Sequence, residues 1–152
     1  GKAGGGNAAT LSGVEVDPIP DRVGQKLRIL LVERLSPKGP AHRASYTLQV
    51  RLTETKRASA IRKDETATRA NLVISANFQL IDKRRQGYGT FTGTASSINS
   101  YNVLQSDFAT LSAERDARDR ALRTIADEIR LRVAAALRDP RAFTPRGQHR
   151  SQ

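Results

Sequence analysis

Lysine and arginine side chains cluster in two short segments, and each segment lies where the sequence predicts a turn between strands. Residues 53–66 read TETKRASAIRKDET and residues 82–87 read DKRRQG. Arginine offers paired N–H donors that fit phosphate oxygens, so both segments are candidate phosphate contacts. Charged turns also keep the ends of a sheet soluble, which is the simpler interpretation of either cluster alone. The cations are Lys56, Arg57, Arg62 and Lys63 in the first turn, and Lys83, Arg84 and Arg85 in the second.

The sequence offers no set of residues for catalysis or metal binding. It has no cysteine, and its two histidines, His42 and His149, stand apart from carboxylates at ligand spacing. The acids near the C-terminus alternate with arginine, as on a solvated helix face. We therefore expect a protein that is not an enzyme and that holds no cofactor and no metal.

The composition indicates a polyanionic partner. The formal net charge is +11 over 152 residues. Residues 36–106 carry eleven Lys or Arg against four Asp or Glu, whereas residues 107–138 carry seven against six. The excess therefore lies on the predicted strands and loops, and it suits nucleic acid, an anionic lipid surface or another phosphate-bearing ligand. No stretch approaches the roughly 20 apolar residues of a membrane span.

The first part of the chain predicts a strand followed by a helix. Residues 1–9 are typical of a flexible tether, and residues 11–16, LSGVEV, predict a short strand. Pro18 and Pro20 end it, and Asp21 is the expected N-cap of an amphipathic helix over residues 21–35. The sequence SPKGP, residues 36–40, stops that helix.

Three longer strands follow. Residues 46–53 and 72–80 alternate apolar and polar side chains, as expected for strands with one buried face. Residues 88–103 predict a third strand that is weakly apolar and rich in hydroxyl groups. That strand favours either an ordinary solvent face or a surface suited to a narrow, hydrated space. Its hydroxyl residues are Thr90, Thr92, Thr94, Ser96 and Ser97.

A long amphipathic helix and a basic tail complete the chain. Ser106 or Asp107 is the expected N-cap, and residues 139–152, with Pro140, Pro145 and scattered arginines, predict a disordered basic tail. The predicted apolar stripe is Leu111, Leu122, Ile125, Ile129, Val133 and Leu137. The predicted i,i+4 ion pairs are Glu114–Arg118, Asp116–Arg120, Asp119–Arg123 and Glu128–Arg132.

These elements predict an α+β fold with the order β-α-β-β-β-α. Each helix has one apolar stripe, so we expect a two-layer sandwich of a four-stranded, mainly antiparallel sheet with both helices on one face. The structured domain is expected to span residues 10–138. The two basic turns then lie at opposite ends of the sheet and form two separate patches.

Two parts of the chain carry a distinctive order of residues. The junction of the last strand and helix holds Tyr101, Asn102, Val103, Asp107, Ala109, Thr110, Leu111, Ala113, Glu114, Asp116 and Ala117. The segment LSGVEVDPIPDRVGQKLRILLVERL, residues 11–35, enters its helix through Asp21, Arg22, Gly24 and Gln25. The junction resembles the C-terminal signature of the LptE family of lipopolysaccharide-assembly lipoproteins, and residues 11–35 are similar to the family's first strand and helix.

The resemblance implies a non-enzymatic role at the outer membrane, on its periplasmic side. Members of this family plug and help assemble the LptD β-barrel and bind lipopolysaccharide during its delivery to the outer leaflet. The full-length protein is then expected to be anchored through an N-terminal lipid on a cysteine that precedes this sequence. The resemblance places lipopolysaccharide contacts, to the lipid A phosphates, in the first basic hairpin and near the start of the last helix. Those positions are Lys56, Arg57, Arg62, Lys63 and Arg115, and Lys83, Arg84 and Arg85 form a second basic patch.

The main alternative is a basic nucleic-acid-binding α+β module. An open sheet face could accept RNA, but such faces use exposed aromatic side chains on central strands as stacking platforms. Phe78 falls on the core-facing register, and Phe91 and Tyr101 are separated. The sequence therefore favours a partner other than nucleic acid.

Overall fold

The computed structural model describes residues 11–39, 43–58, 68–84 and 89–145, which fold into two layers. A sheet forms one layer and two helices form the other, which confirms the predicted α+β sandwich. The elements are β1 (Val14–Val16), α1 (Asp21–Leu35), β2 (Tyr46–Ala58), β3 (Thr68–Asp82), β4 (Gly89–Val103), α2 (Asp107–Leu137), a 3-10 helix (Pro140–Ala142) and β5 (Thr144–Pro145).

The strands follow one another across the sheet in chain order, β1-β2-β3-β4-β5. β1 pairs with β2 in parallel, as the helical connection between them requires. The other pairs are antiparallel, and β3 is aligned with β2 and β4 along nearly its full length. The β2–β3 and β3–β4 connections therefore lie at opposite ends of the sheet, as predicted. Among the described residues the sheet has five strands rather than the four expected.

Both helices pack on one face of the sheet, where the alternating apolar residues of the strands are buried. β3 contributes the largest share, because it is central and its Ala70, Leu72, Ile74, Ala76, Phe78 and Leu80 all point into this layer. From α2, the predicted stripe residues Leu122, Ile125, Ile129 and Val133 are buried, and Ala117, Ala121 and Ala126 allow the helix to approach the sheet closely. No helix in the described ranges covers the opposite face of the sheet, which we call the uncovered face.

The two helices run parallel to each other. Lys26 Nζ lies 3.3 Å from Asp119 Oδ1, and eight residues further along each helix Arg34 Nε lies 2.5 Å from Asp127 Oδ1. These pairs are largely exposed, so they fix the alignment of α1 and α2 more than they stabilise the fold.

The entry into α1 differs from the predicted N-cap at Asp21. Asp21 is the first helical residue and makes no side-chain cap hydrogen bond; Pro20 occupies the cap position. The backbone of Asp21 has a φ of 69°, a left-handed conformation that aspartate tolerates better than most residues. This turn brings Ile19 back over the first turn of α1, against Gly24.

The start of α2 agrees with its predicted cap. The Ser106 hydroxyl accepts a hydrogen bond from the Ala109 N–H at 3.3 Å. The Thr110 hydroxyl lies within 3.0 Å of the backbone N and O of Leu104, which ties the first turn of α2 to the end of β4. Leu111 was expected in the apolar stripe but is 44% exposed, because the first two turns of α2 precede the part of the helix that packs on the core.

Two further predictions need correction. Residues 11 and 12 are helical, so β1 begins at Val14 rather than at residue 11. Residues 140–145, expected in a disordered tail, form the 3-10 helix and β5. Phe143 between them is buried beside Tyr46 and Phe91, with ring centroids 6.1 and 6.4 Å away.

Candidate functional site

The cations predicted in the first basic hairpin do not share one surface. Neighbouring residues of a strand point to opposite faces. Lys56 of β2 points toward the helix layer, where its Nζ lies 2.6 Å from Glu114 Oε1. Arg57 points to the uncovered face and is exposed. Arg62 and Lys63 lie outside the described residues.

Lys56 belongs to an ion-pair network that joins β2 to α2. Arg118 Nε lies 2.6 Å from Glu54 Oε1, and Arg118 Nη2 lies 2.7 Å from Glu114 Oε1. The side chains of Glu114 and Arg118 are only 12% and 14% exposed, so their charges are more strongly coupled than those of a surface pair. The network neutralises both carboxylates near the β2–β3 end of the sheet.

The electrostatics of the network favour its charged forms. The hydrogen bond to Glu114 raises the pKa of Lys56, and the hydrogen bond to Glu54 raises the pKa of Arg118. Burial works to raise the pKa of Glu114, but hydrogen bonds from Lys56 and Arg118 outweigh it and hold that pKa below its ordinary value of 4.5.

Replacing Glu114 by glutamine is expected to lower the free energy of unfolding at pH 7 by about 1–2 kcal/mol, because two cations lose a charged partner. The lowered pKa of Glu114 contributes stability that is complete above pH 4.5 and is lost as pH falls through the folded-state value. The measurement is urea denaturation of both proteins at pH 7 and at successively lower pH. The difference between them should shrink in acid; a difference that is constant with pH would show that the carboxylate charge is not the cause.

Arg115 lies beside an exposed apolar cluster at the same end of the sheet. It stands one helical turn after Leu111, and Phe108 is 81% exposed in the first turn of α2. Leu104, at the end of β4, is also exposed. Arg57 and Arg69 lie at the same end of the domain but point to the uncovered face of the sheet, whereas Arg115 lies on α2. We call the exposed residues at this end, taken from both layers, the hairpin-end surface. They are Arg57, Arg69, Leu104, Phe108, Leu111 and Arg115.

The second basic patch is partly neutralised within the fold. Arg84 Nε lies 3.1 Å from Oδ1 of the buried Asp82, and its guanidinium donates to the Tyr46 hydroxyl and stacks 4.8 Å from the Tyr46 ring centroid. The hydrogen bond to Asp82 raises the pKa of Arg84. Lys83 Nζ lies 3.9 Å from Glu15 Oε2. Arg85 is outside the described residues, so the described part of this patch offers less unpaired charge than its sequence suggests.

The uncovered sheet face is polar, and the charged outward side chains on its three long strands are all cations, whereas Glu15 lies on β1 at the edge of the sheet. Hydroxyl and amide side chains form hydrogen-bonded pairs across β3 and β4: Ser75 with Ser96 at 3.0 Å, Asn77 with Thr94 at 2.8 Å and Asn71 with Ser100 at 2.8 Å. The charged residues at the outward positions of β2, β3 and β4 are Arg51, Arg57 and Arg69, with no Asp or Glu among them. The hydroxyl-rich pattern in the sequence predicted this face, whereas Arg51 and Arg69 were not singled out, because each stands alone between neutral residues.

The described residues give no indication of a metal centre or a membrane-spanning helix. They hold no group of three or more His, Asp or Glu side chains that could bind a metal ion. In the described helices, no segment has the length and hydropathy needed to cross a bilayer. His42 and His149 fall outside the described ranges.

The fold and the site define a small α+β domain that presents open surfaces to its partners. The family model of LptE, described as lipopolysaccharide-assembly, matches residues 10–133. The chain therefore belongs to the LptE family, as its resemblance implied. A search of curated proteins finds no match.

Solved structures of lipoproteins share the fold. A putative lipoprotein from Caulobacter crescentus CB15 is 26% identical, with a TM-score of 0.70 over 89% of this chain and 98% of that one. The rare lipoprotein B from Shewanella oneidensis is 10% identical, with a TM-score of 0.61, and a minor lipoprotein from Acinetobacter baumannii is 16% identical, with a TM-score of 0.51. Each covers 82% of this chain and 93% of its own, and these last two show likeness of fold alone.

Proposed function

We propose that this domain is the periplasmic part of an outer-membrane lipoprotein that plugs the lumen of the LptD β-barrel and helps that barrel to assemble. In this proposal the domain also binds lipopolysaccharide during delivery to the outer leaflet, and the lipid anchor lies on a cysteine N-terminal to this sequence. Membership of the LptE family and the likeness to lipoproteins of known structure support this role.

The hairpin-end surface is the observation that carries the lipopolysaccharide part of the proposal. A lipid A headgroup joins phosphates to acyl chains, so its binding site needs cations next to apolar side chains. Arg115 lies on the same helix as the exposed Phe108 and Leu111, and Arg57 and Arg69 add two cations at the same end of the domain, on the uncovered face of the sheet. Lys56 contributes less, because Glu114 holds its ammonium group. Arg62 and Lys63 remain predicted contacts.

The uncovered face supports the barrel part of the proposal. The outward side chains on β3 and β4 form hydrogen bonds with each other through hydroxyl and amide groups. Such a polar face is compatible with the hydrated inner wall of a β-barrel. The aromatic residues Phe78, Phe91 and Tyr101 lie on the helix side, which leaves the described part of this face without a stacking platform for bases. This arrangement favours a barrel partner over RNA.

Reversing the charge of Arg57, Arg69 and Arg115 to glutamate is expected to weaken lipopolysaccharide binding about 100-fold. Each cation near an anionic lipid surface contributes about 1 kcal/mol, and every 1.4 kcal/mol is about tenfold in affinity. The three side chains are exposed, so the melting temperature should stay within a few degrees. The measurement is titration of purified lipopolysaccharide, with melting followed in parallel.

A triple variant of Arg22, Arg123 and Arg130 to glutamate is the matched control. These residues are exposed on the helices, and their reversal changes the net charge equally. The control should keep most of the affinity. Equal losses in the two triple variants would mean general charge attraction and would remove the hairpin-end surface from the proposal.

The barrel partner is tested by a pull-down from detergent-solubilised outer membranes of the source organism, at moderate and high salt. The expected result is recovery of one large β-barrel protein, in an amount equimolar with the domain and unchanged between moderate and high salt. Recovery of only nucleic acid or ribosomal proteins, which salt removes, would contradict the barrel role and favour the nucleic-acid alternative.

A further inference from the structure

β4 leaves a long row of backbone groups without a strand partner in the described part of the chain. β5 pairs with Gly89 and Thr90 only. The remaining residues, 91–103, border β3 on one side and no described strand on the other. Backbone groups of alternate residues point outward along such an edge.

The contacts of α2 identify which residues point outward. Arg132 Nη1 donates to the Thr94 carbonyl at 2.6 Å, and Arg120 Nη2 donates to the Ser100 carbonyl at 3.5 Å. Even-numbered residues of β4 therefore present their N–H and C=O groups to the open edge. These residues are Thr92, Thr94, Ser96, Ile98, Ser100 and Asn102, and all are exposed.

The composition of β4 is unlike that of a protected edge. Natural edge strands carry charges, proline or bulges that block pairing with other chains. β4, GTFTGTASSINSYNV, has no charged residue and no proline, although 27% of the whole chain is charged. The other open edge gives an internal comparison, because β2 beyond Leu48 has no described strand partner on the side away from β3, and it carries Arg51, Glu54, Lys56 and Arg57. The β2 edge therefore carries charged residues of its own, whereas on β4 only the Thr94 and Ser100 carbonyls meet charged side chains, those of Arg132 and Arg120.

The described ends of the chain do not lead along this edge. β5 is antiparallel to β4, and Pro145 pairs with Gly89, so the chain leaves β4 at the end away from Asn102. The described N-terminal segment leads into β1, on the far side of the sheet. The described parts of the chain therefore supply no strand for this stretch of the edge.

The positive charges of Arg120 and Arg132 beside the edge indicate which kind of segment can pair with it. Two copies of the domain could pair antiparallel through this edge, with Ser97 of one copy opposite Ser97 of the other. Thr94 of each copy would then face Ser100 of the other copy. Arg132 of each copy would therefore lie opposite Arg120 of the other, which places like charges together at two points. The backbone of a partner strand would displace the Arg132 and Arg120 guanidinium groups from the Thr94 and Ser100 carbonyls. Carboxylates on that strand would then form ion pairs with the two displaced guanidinium groups.

We propose that the open edge of β4, residues 92–102, pairs with an extended, carboxylate-bearing segment of a different protein chain. Backbone hydrogen bonds supply the affinity in this mode of recognition, and side chains supply the specificity. The edge adjoins the hairpin-end surface at Asn102 and runs away from it along β4, and its pairing does not require lipopolysaccharide.

The test uses the whole chain and a soluble peptide probe of about ten alternating threonine and glutamate residues, long enough to span the edge. Binding is followed by NMR amide shifts and by titration. The expected shifts centre on β4, and a probe N-methylated at alternate residues, of the same charge, should bind at least about tenfold more weakly. Equal affinity of the two probes, or no binding, would overturn the proposal.

The variant Ser96→Pro removes one outward N–H and should weaken the unmethylated probe about tenfold while the fold is retained. Ser97→Pro, at the next residue, removes an N–H that faces β3 and should lower the melting temperature sharply. This difference checks that the Ser96 N–H points to the open edge and the Ser97 N–H points to β3. Sedimentation of the parent and of the Ser96→Pro variant gives a further check. If the parent is a dimer and the variant is a monomer, the partner of the edge is a second copy of this chain, and the proposal of a different chain is wrong.

Discussion

Replacing Phe78 by alanine is expected to lower the free energy of unfolding by about 3–5 kcal/mol, the usual range for a buried phenylalanine. Phe78 is only 3% exposed. Its ring lies 6.0 Å from that of Phe91, and the Arg132 guanidinium lies 5.4 Å from its centroid. Gly93 lies directly against the ring and has no side chain that could fill the cavity.

Chemical denaturation of the Phe78→Ala protein measures this loss. Gln79→Ala is the matched control, since Gln79 is the next residue of β3 and points to the uncovered face. We expect the control to stay within about 0.5 kcal/mol of the parent. A loss below about 1 kcal/mol for Phe78→Ala would mean that the sheet and α2 are packed less tightly here than the structure shows.

The second large effect is expected at Gly24. A Cβ added there would lie 2.6 Å from Ile19 Cγ2 and 2.7 Å from the Ile19 carbonyl oxygen. Part of that obstacle is backbone and cannot rotate away. Gly24→Val is therefore expected to lower the free energy of unfolding by about 2–4 kcal/mol, because overpacking outweighs the gain in helix propensity over glycine.

Gln25→Val provides the comparison for Gly24→Val, since Gln25 is exposed on the same turn of α1. It should cost no more than about 0.7 kcal/mol, the range of intrinsic helix propensity. Equal thermal midpoints for the two variants would contradict the close contact between Ile19 and α1.

Local patterns predicted most of the fold. Alternation identified β2, β3 and β4 because each has one buried face, and the spacing of Leu122, Ile125, Ile129 and Val133 identified the packed face of α2. The periodicity also included Leu111, which is exposed. Sequence spacing reports which residues share a helix face, and it does not report where along the helix the partner layer ends.

Features that depend on distant residues were not predictable in the same way. Asp119 pairs with Lys26 of α1 rather than with Arg123, and Arg132 reaches Thr94 rather than Glu128. The Glu54–Arg118 contact joins residues 64 positions apart. β5 has two residues, which is too short for any periodic pattern. Prediction of the candidate site had the same limit. Lys56 and Arg57 are adjacent in the sequence and were assigned to one cluster, but neighbouring residues of a strand point to opposite faces of the sheet.

The position of Phe143 has a consequence for the order in which the protein is completed. Tyr46 and Phe91 belong to strands made early, whereas the ring that covers them arrives about 50 residues after β4 begins. In a chain growing from its N-terminus, Tyr46 and Phe91 are therefore made before the ring that packs against both of them, and this aromatic cluster is complete only after the last described residues have been made. Proteolytic susceptibility near Tyr46 is expected to fall only when Phe143 reaches the sheet.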